Sequence, residues 1–175
     1  MSAPDERALA QGLARGDEAA FAAAYDRFAP GLYRSAVTLL GSAADAEDAV
    51  QDVFVALVRS GPRLSGVLNL PAYLFTALRH AAGRRLADAR KRVARPLDEN
   101  TAATAEPGGD AELDVLLQKL PAEQRTVVLL KTDGGLTFAE IAATLGISEN
   151  TAASRYRYAL EKLKSALAED HHVRR

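Results

Sequence analysis

The longest interruption of helical periodicity in this chain limits the folds open to it. Between Val93 and Glu112 the string VARPLDENTAATAEPGGDAE holds small, polar and acidic residues, two prolines and a Gly-Gly pair, with no apolar period. Such a segment buries little, so it reads as a flexible linker dividing 175 residues into two short pieces. Alanine and leucine are abundant on both sides, aromatics are 6%, and β-branched residues never alternate over the length of a strand. The expected fold class is all-α: two small helical domains, 1–92 and 113–170, joined by the linker 93–112 and followed by a charged tail at 171–175.

In the first piece, Phe21, Ala24, Tyr25, Phe28, Leu32, Val37 and Leu40 mostly recur three or four apart, as one buried helix face does. Pro30-Gly31 predicts a break or reset inside that run. Gly41-Ser42 supplies a turn and a cap, and Ala46, Val50, Val53, Phe54 and Leu57 stripe a second helix over 43–60. Residues 60–70 read as a loop, and Pro71 suits the first turn of a third helix ending near Arg92. The second piece divides into four short amphipathic segments, with breaks at Leu120-Pro121, Asp133-Gly134-Gly135 and Gly146-Ile147-Ser148.

The net charge of −1 conceals a strong segregation. Residues 59–95 hold nine basic side chains and one acidic, whereas 1–58 hold four and nine and 96–123 hold one and seven. A block that basic calls for an anionic partner. Without cysteine there is no disulfide or thiolate metal site, and a reducing compartment is expected. The amino terminus lacks an apolar signal core, and no stretch approaches the roughly 18 apolar residues of a membrane span. The expectation is a cytoplasmic protein with no membrane insertion. His80 stands among arginines, and His171 and His172 in a charged tail, so no metal site and no cofactor are expected.

The most specific local pattern is TFAEIAATLGISENTAASRYRYALEKLK, from Thr137. Thr137 and Glu140 form a capping-box pair, Ile141 and Leu145 face inward, Gly146 permits a left-handed turn, Ile147 plugs the corner and Ser148 caps the next helix. Ala152, Tyr156, Ala159, Leu160 and Leu163 make the inward stripe of that helix. Ser148, Asn150, Thr151, Ala153, Ser154, Arg155 and Arg157 then lie at its start or on its outward side. Short polar side chains and arginine are what a helix needs to read base edges and hold phosphates in a major groove. An ordinary helical hairpin with a solvated face is the plain alternative; the Gly-Ile-Ser corner and the two caps favour a helix-turn-helix.

That motif alone suits several kinds of regulator, and the first half discriminates among them. In FAAAYDRFAPGLYRSAVTLLGSAADAEDAVQDVFVALVR, the residues Gly41, Asp45, Ala46, Glu47, Asp48, Val50, Gln51, Asp52, Val53 and Phe54 resemble the signature of the second conserved domain of extracytoplasmic function (ECF) sigma factors. LPAEQRTVVLLKTDGGLTFAEIAATLGIS is similar to their fourth conserved domain. The resemblance spans nearly the whole chain, in the family's order.

It implies a subunit that binds core RNA polymerase, through the β′ clamp helices and the β subunit, and directs it to promoter DNA; it is not itself an enzyme. Core polymerase would be met by Asp45, Glu47, Asp48, Gln51, Asp52 and Phe54. The minus-10 element would be handled by Arg59, Arg63, Asn69, Tyr73, Phe75, Arg79, His80, Arg84 and Arg85, and the minus-35 element by the outward residues of the helix from Ser148. An anti-sigma factor is a further partner that the resemblance implies. The sequence departs from the family pattern at Tyr73, His80, Arg84, Ala152 and Ala153, so the family's promoter preference does not transfer. Two other readings are a dimeric helix-turn-helix repressor or activator, and a helical enzyme using the carboxylates of DAEDAVQD. The enzyme lacks a phosphate loop, a nucleophile with a matching base, or a partner histidine.

Overall fold

The computed structural model describes residues 3–93 and 111–173. These form two compact units, each with its own core. The expected linker falls almost wholly outside the described residues.

The first unit contains α1 (Ala3–Ala14), α2 (Glu18–Leu40), α3 (Ala43–Ser60), a 3-10 helix (Gly61–Gly66) and α4 (Leu70–Val93). Helix starts and stops follow the local chemistry. Asp17 accepts hydrogen bonds from the Ala19 and Ala20 amides at 2.9 and 3.4 Å, Gly41 ends α2 in a left-handed conformation, and Ser42 Oγ accepts from the Asp45 amide at 3.3 Å to open α3. The core is built from Leu32, Leu57, Leu64, Leu70, Leu74 and Leu78.

Three expectations change in this unit. Pro30 does not break α2, which runs unbroken to Leu40. An interior proline costs about 3 kcal/mol locally, and burial of Ala24, Phe28, Leu32 and Ala36 on either side offsets it. The second change is α1, which the acidic amino terminus did not suggest. It packs on α2 and on the 3-10 helix, with Ala10, Gly12 and Leu13 buried. A Cβ at Gly12 would stand 2.6 Å from Ala20 Cβ, so glycine sets how closely these helices approach. Glu6 accepts from Arg27 across the same pair at 3.2 Å. The segment read as a loop at 60–70 is partly ordered as the 3-10 helix, anchored by Leu64.

The second unit contains α5 (Ala111–Lys119), α6 (Ala122–Thr132), α7 (Phe138–Leu145) and α8 (Glu149–Val173). Leu116, Val127, Leu130, Leu136, Ile141, Ala152, Ala159 and Leu163 supply its core. Arg125 Nη2 donates to the Gln118 and Leu120 carbonyls at 2.7 and 3.0 Å, closing the end of α5. Burial of that guanidinium lowers its pKa from the ordinary arginine value. The backbone of α8 stays helical to Val173, three residues into the segment expected to be a tail.

Candidate docking groove and nucleic-acid interfaces

The capping box at the start of α7 is complete: Thr137 Oγ1 accepts from the Glu140 amide at 3.2 Å, and Glu140 Oε2 accepts from the Thr137 amide at 2.7 Å. Gly146 takes φ 66°, and the Ile147 amide donates to Ala142 O at 3.1 Å. A left-handed residue there turns the chain into α8, where Ser148 Oγ accepts from the Thr151 amide at 3.1 Å. Edge-on contact of Phe138 with Tyr156, centroids 5.6 Å apart, locks α7 against α8. This is a helix-turn-helix with α8 as its second helix.

Along α8, Ser148, Asn150 and Arg157 are exposed, and Thr151, Ala153, Ser154 and Arg155 are half-buried. The two cations differ in situation. Arg157 lies over the exposed Tyr158 ring at 5.1 Å, whereas Arg155 Nη2 pairs with Glu123 Oε2 of α6 at 2.6 Å. Leu160, expected inward, is 44% exposed, because the α8 seam passes through Ala152, Ala159 and Leu163 and leaves Leu160 to one side.

In the first unit, α2 and α3 enclose an open groove of about 1130 Å³. Phe54 forms its floor, 4% exposed, with the Phe21 ring edge-on at 5.9 Å and the Tyr25 ring tilted at 4.8 Å. Val55 and Val58, 40% and 62% exposed, extend the apolar lining; Asp26, Glu47, Asp48 and Gln51 supply most of the polar part, with Arg59 as the one cation among the lining residues. Tyr25, expected on a buried stripe, is 48% exposed and belongs to this groove. Sequence reasoning missed Phe21, Tyr25, Val55 and Val58 as site residues. Their signal was an apolar surplus: α2 and α3 carry more large apolar positions than one inward face can hold.

Asp45 and Asp52 are exposed on α3 but outside the groove lining. Asp52 Oδ2 accepts from Arg85 Nη1 of α4 at 2.7 Å, and Arg85 Nη2 lies 3.8 Å from Asp48 Oδ2. The minus-10 candidates are thus unequal. Arg59, Arg63, His80 and Arg84 are exposed, and Arg79 is half-buried with Nη2 3.4 Å from His80 Nε2. Asn69 Oδ1 accepts from the Ala72 amide at 2.7 Å, holding the start of α4, and the Tyr73 and Ser60 hydroxyls meet at 2.7 Å. Phe75 is a correction: at 3% exposure it belongs to the core, since it falls on the stripe of α4 that includes Pro71 and Leu78.

A helix-turn-helix unit, together with a second helical unit that carries a basic helix beside an open aromatic groove, fits the class of DNA-binding transcription proteins. Family profiles agree in both units: Sigma-70 region 2 matches residues 24–92, and Sigma-70, region 4 matches residues 110–163. Among curated relatives, the ECF RNA polymerase sigma factor SigL of Mycobacterium tuberculosis is 36% identical over 172 residues, covering 93% of this chain and 97% of SigL. EcfG of Rhodopseudomonas palustris is 32% identical, covering 81% of each chain. Among solved structures, RpoE of Bartonella quintana, crystallised with the anti-sigma factor NepR, aligns with TM-score 0.70 at 26% identity, covering 85% of this chain and 96% of that one. CnrH, solved with the cytosolic domain of CnrY, aligns with TM-score 0.68 at 27% identity, covering 94% and 97%.

The chain belongs to the sigma-70 family and is an RNA polymerase sigma factor of the ECF type. The comparisons give no support to the repressor or activator reading. No helix among the described residues is long and apolar enough to cross a membrane.

Proposed function

We propose that the two units divide promoter recognition between them, with polymerase held by the first. The groove between α2 and α3 carries this reading, because it joins an exposed aromatic and valine surface to Glu47, Asp48 and Gln51. Such a surface suits an apolar partner helix with basic flanks, and the β′ clamp helices and β subunit of core polymerase are the proposed occupants. Asp45 adds charge at the start of the same helix.

Helix α4 and the residues before it take the melted minus-10 strand. Arg59, Arg63, Asn69, Arg79, His80 and Arg84 supply cations and polar groups, and Tyr73 supplies a ring at the edge of this face. In the second unit, α8 enters the major groove at the minus-35 element through Ser148, Asn150, Thr151, Ala153, Ser154, Arg155 and Arg157. An anti-sigma factor is a second partner, since RpoE and CnrH were each solved in complex with another protein, named an anti-sigma factor in the RpoE complex. The protein works in the cytoplasm, where polymerase is.

Reconstitution tests the reading. The purified chain is mixed with bacterial core RNA polymerase and used to transcribe a library of genomic promoter fragments. A stable complex with factor-dependent start sites is expected. Absence of any complex, with tight duplex binding by a dimer, would overturn it.

A further inference from the structure

Helix α4 loses its hydrophobic anchor before it ends. Its inward stripe runs through Leu74, Leu78, Ala81 and Ala82, all buried. The next position on that stripe, four residues after Ala81 and three after Ala82, is Arg85. From Gly83 to Lys91 every side chain except Arg85 is exposed. Packing therefore gives this stretch little to hold it, and the inward position carries a cation. That cation meets Asp52 at 2.7 Å and Asp48 at 3.8 Å, with 23% of its side chain exposed against 48% and 65% for the two carboxylates.

We propose that Arg85 is a positioning residue, which fastens the basic end of α4 to α3 and so presents Arg84 and the turns beyond it to the melted strand without itself touching DNA. The proposal rests on the sigma-factor reading for its function, though not for its geometry. The two carboxylates have separate duties. Asp48 also lines the docking groove, so a basic partner there competes for it, whereas Asp52 lies outside the groove and keeps Arg85 when the groove is filled. Asp52 is therefore reassigned from polymerase contact to tether. An exposed ion pair contributes little to global stability. Its effect falls instead on local opening of a helix end that has few other contacts.

The test uses the full chain and three variants: Arg85→Gln, Arg85→Lys, and the exchanged pair Arg85→Asp with Asp52→Arg. Amide hydrogen exchange over residues 83–91 is read on the free protein, and association with core polymerase and the rate of open-complex formation at saturating factor are read separately. In Arg85→Gln, exchange should rise about fivefold, the equivalent of losing one modest interaction. Open-complex formation should slow by a similar factor, while association stays close to wild type. Arg85→Lys should restore most of both losses, and the exchanged pair should restore the protection. Slower opening with unchanged exchange would overturn the proposal and make Arg85 a direct DNA contact. Unchanged exchange and unchanged opening would equally overturn it. If wild-type protein fails to bind polymerase, the sigma-factor mechanism fails, and exchange on the free protein still decides the tether.

Discussion

Glu123 stands 2.6 Å from Arg155 across α6 and α8, so a phosphate or base acceptor competes with a carboxylate for that guanidinium. The pair is partly exposed, 71% at Glu123, so the competition is worth no more than about 1 kcal/mol. Glu123→Gln is expected to tighten binding of the polymerase complex to the upstream promoter element by up to fivefold or so, and Arg155→Ala in the same background should cancel the gain, as read by titration of a labelled promoter fragment. Arg157 has no such competitor among the ion pairs of the described residues. If it meets phosphate, Arg157→Ala should weaken binding across sequences and reduce the salt slope by about 1. A loss confined to one base position would assign it to base readout instead. In the first unit, Val58→Asp puts a charge on an exposed apolar wall of the groove. Association with core polymerase should drop at least about tenfold, roughly 1.4 kcal/mol, with the circular dichroism spectrum unchanged. Full association would remove the groove from the docking face.

Helices here are bounded by local chemistry and held by what they pack against. The Thr137–Glu140 box satisfies donors at the start of α7, and Thr137→Ala is expected to destabilise the second unit by about 1 kcal/mol, measured by denaturant unfolding. Because α7 positions α8, the same variant should also weaken minus-35 binding. Boundaries set by caps were legible in advance: α3 begins after Ser42, and α7 gives way to α8 at Gly146-Ile147-Ser148, as the sequence predicts. Features set by packing were not. Pro30 reads as a breaker because propensity is local, while the burial that carries α2 through it comes from α3 and α4. Helix α1 went unseen because its apolar positions are mostly alanine, with only Leu9 and Leu13 large, and contact with α2 and the 3-10 helix makes them a core face.

Across the whole chain, charge is segregated far more than its sum of −1 suggests, with the basic block at 59–95 flanked by acidic segments. A protein of that net charge gains little from long-range attraction to DNA. The free factor is expected to show no specific retention of duplex promoter near physiological salt, and its complex with core polymerase to bind the same fragment; equal binding by free factor would contradict this. Period, caps and charge, all carried by residues near one another in the chain, were enough to determine the all-α class, the helix-turn-helix with its corner, and the basic and acidic blocks. Tertiary structure decided how residues at the margin of an inward stripe divide between a neighbour and solvent. Tyr25 became a groove wall and Phe75 a core residue by that criterion, although both are aromatics at helical spacing. Arg85 joined Asp52 across thirty-three positions of sequence. An ion pair between helices depends on how their axes cross, and no local pattern in either helix encodes that crossing.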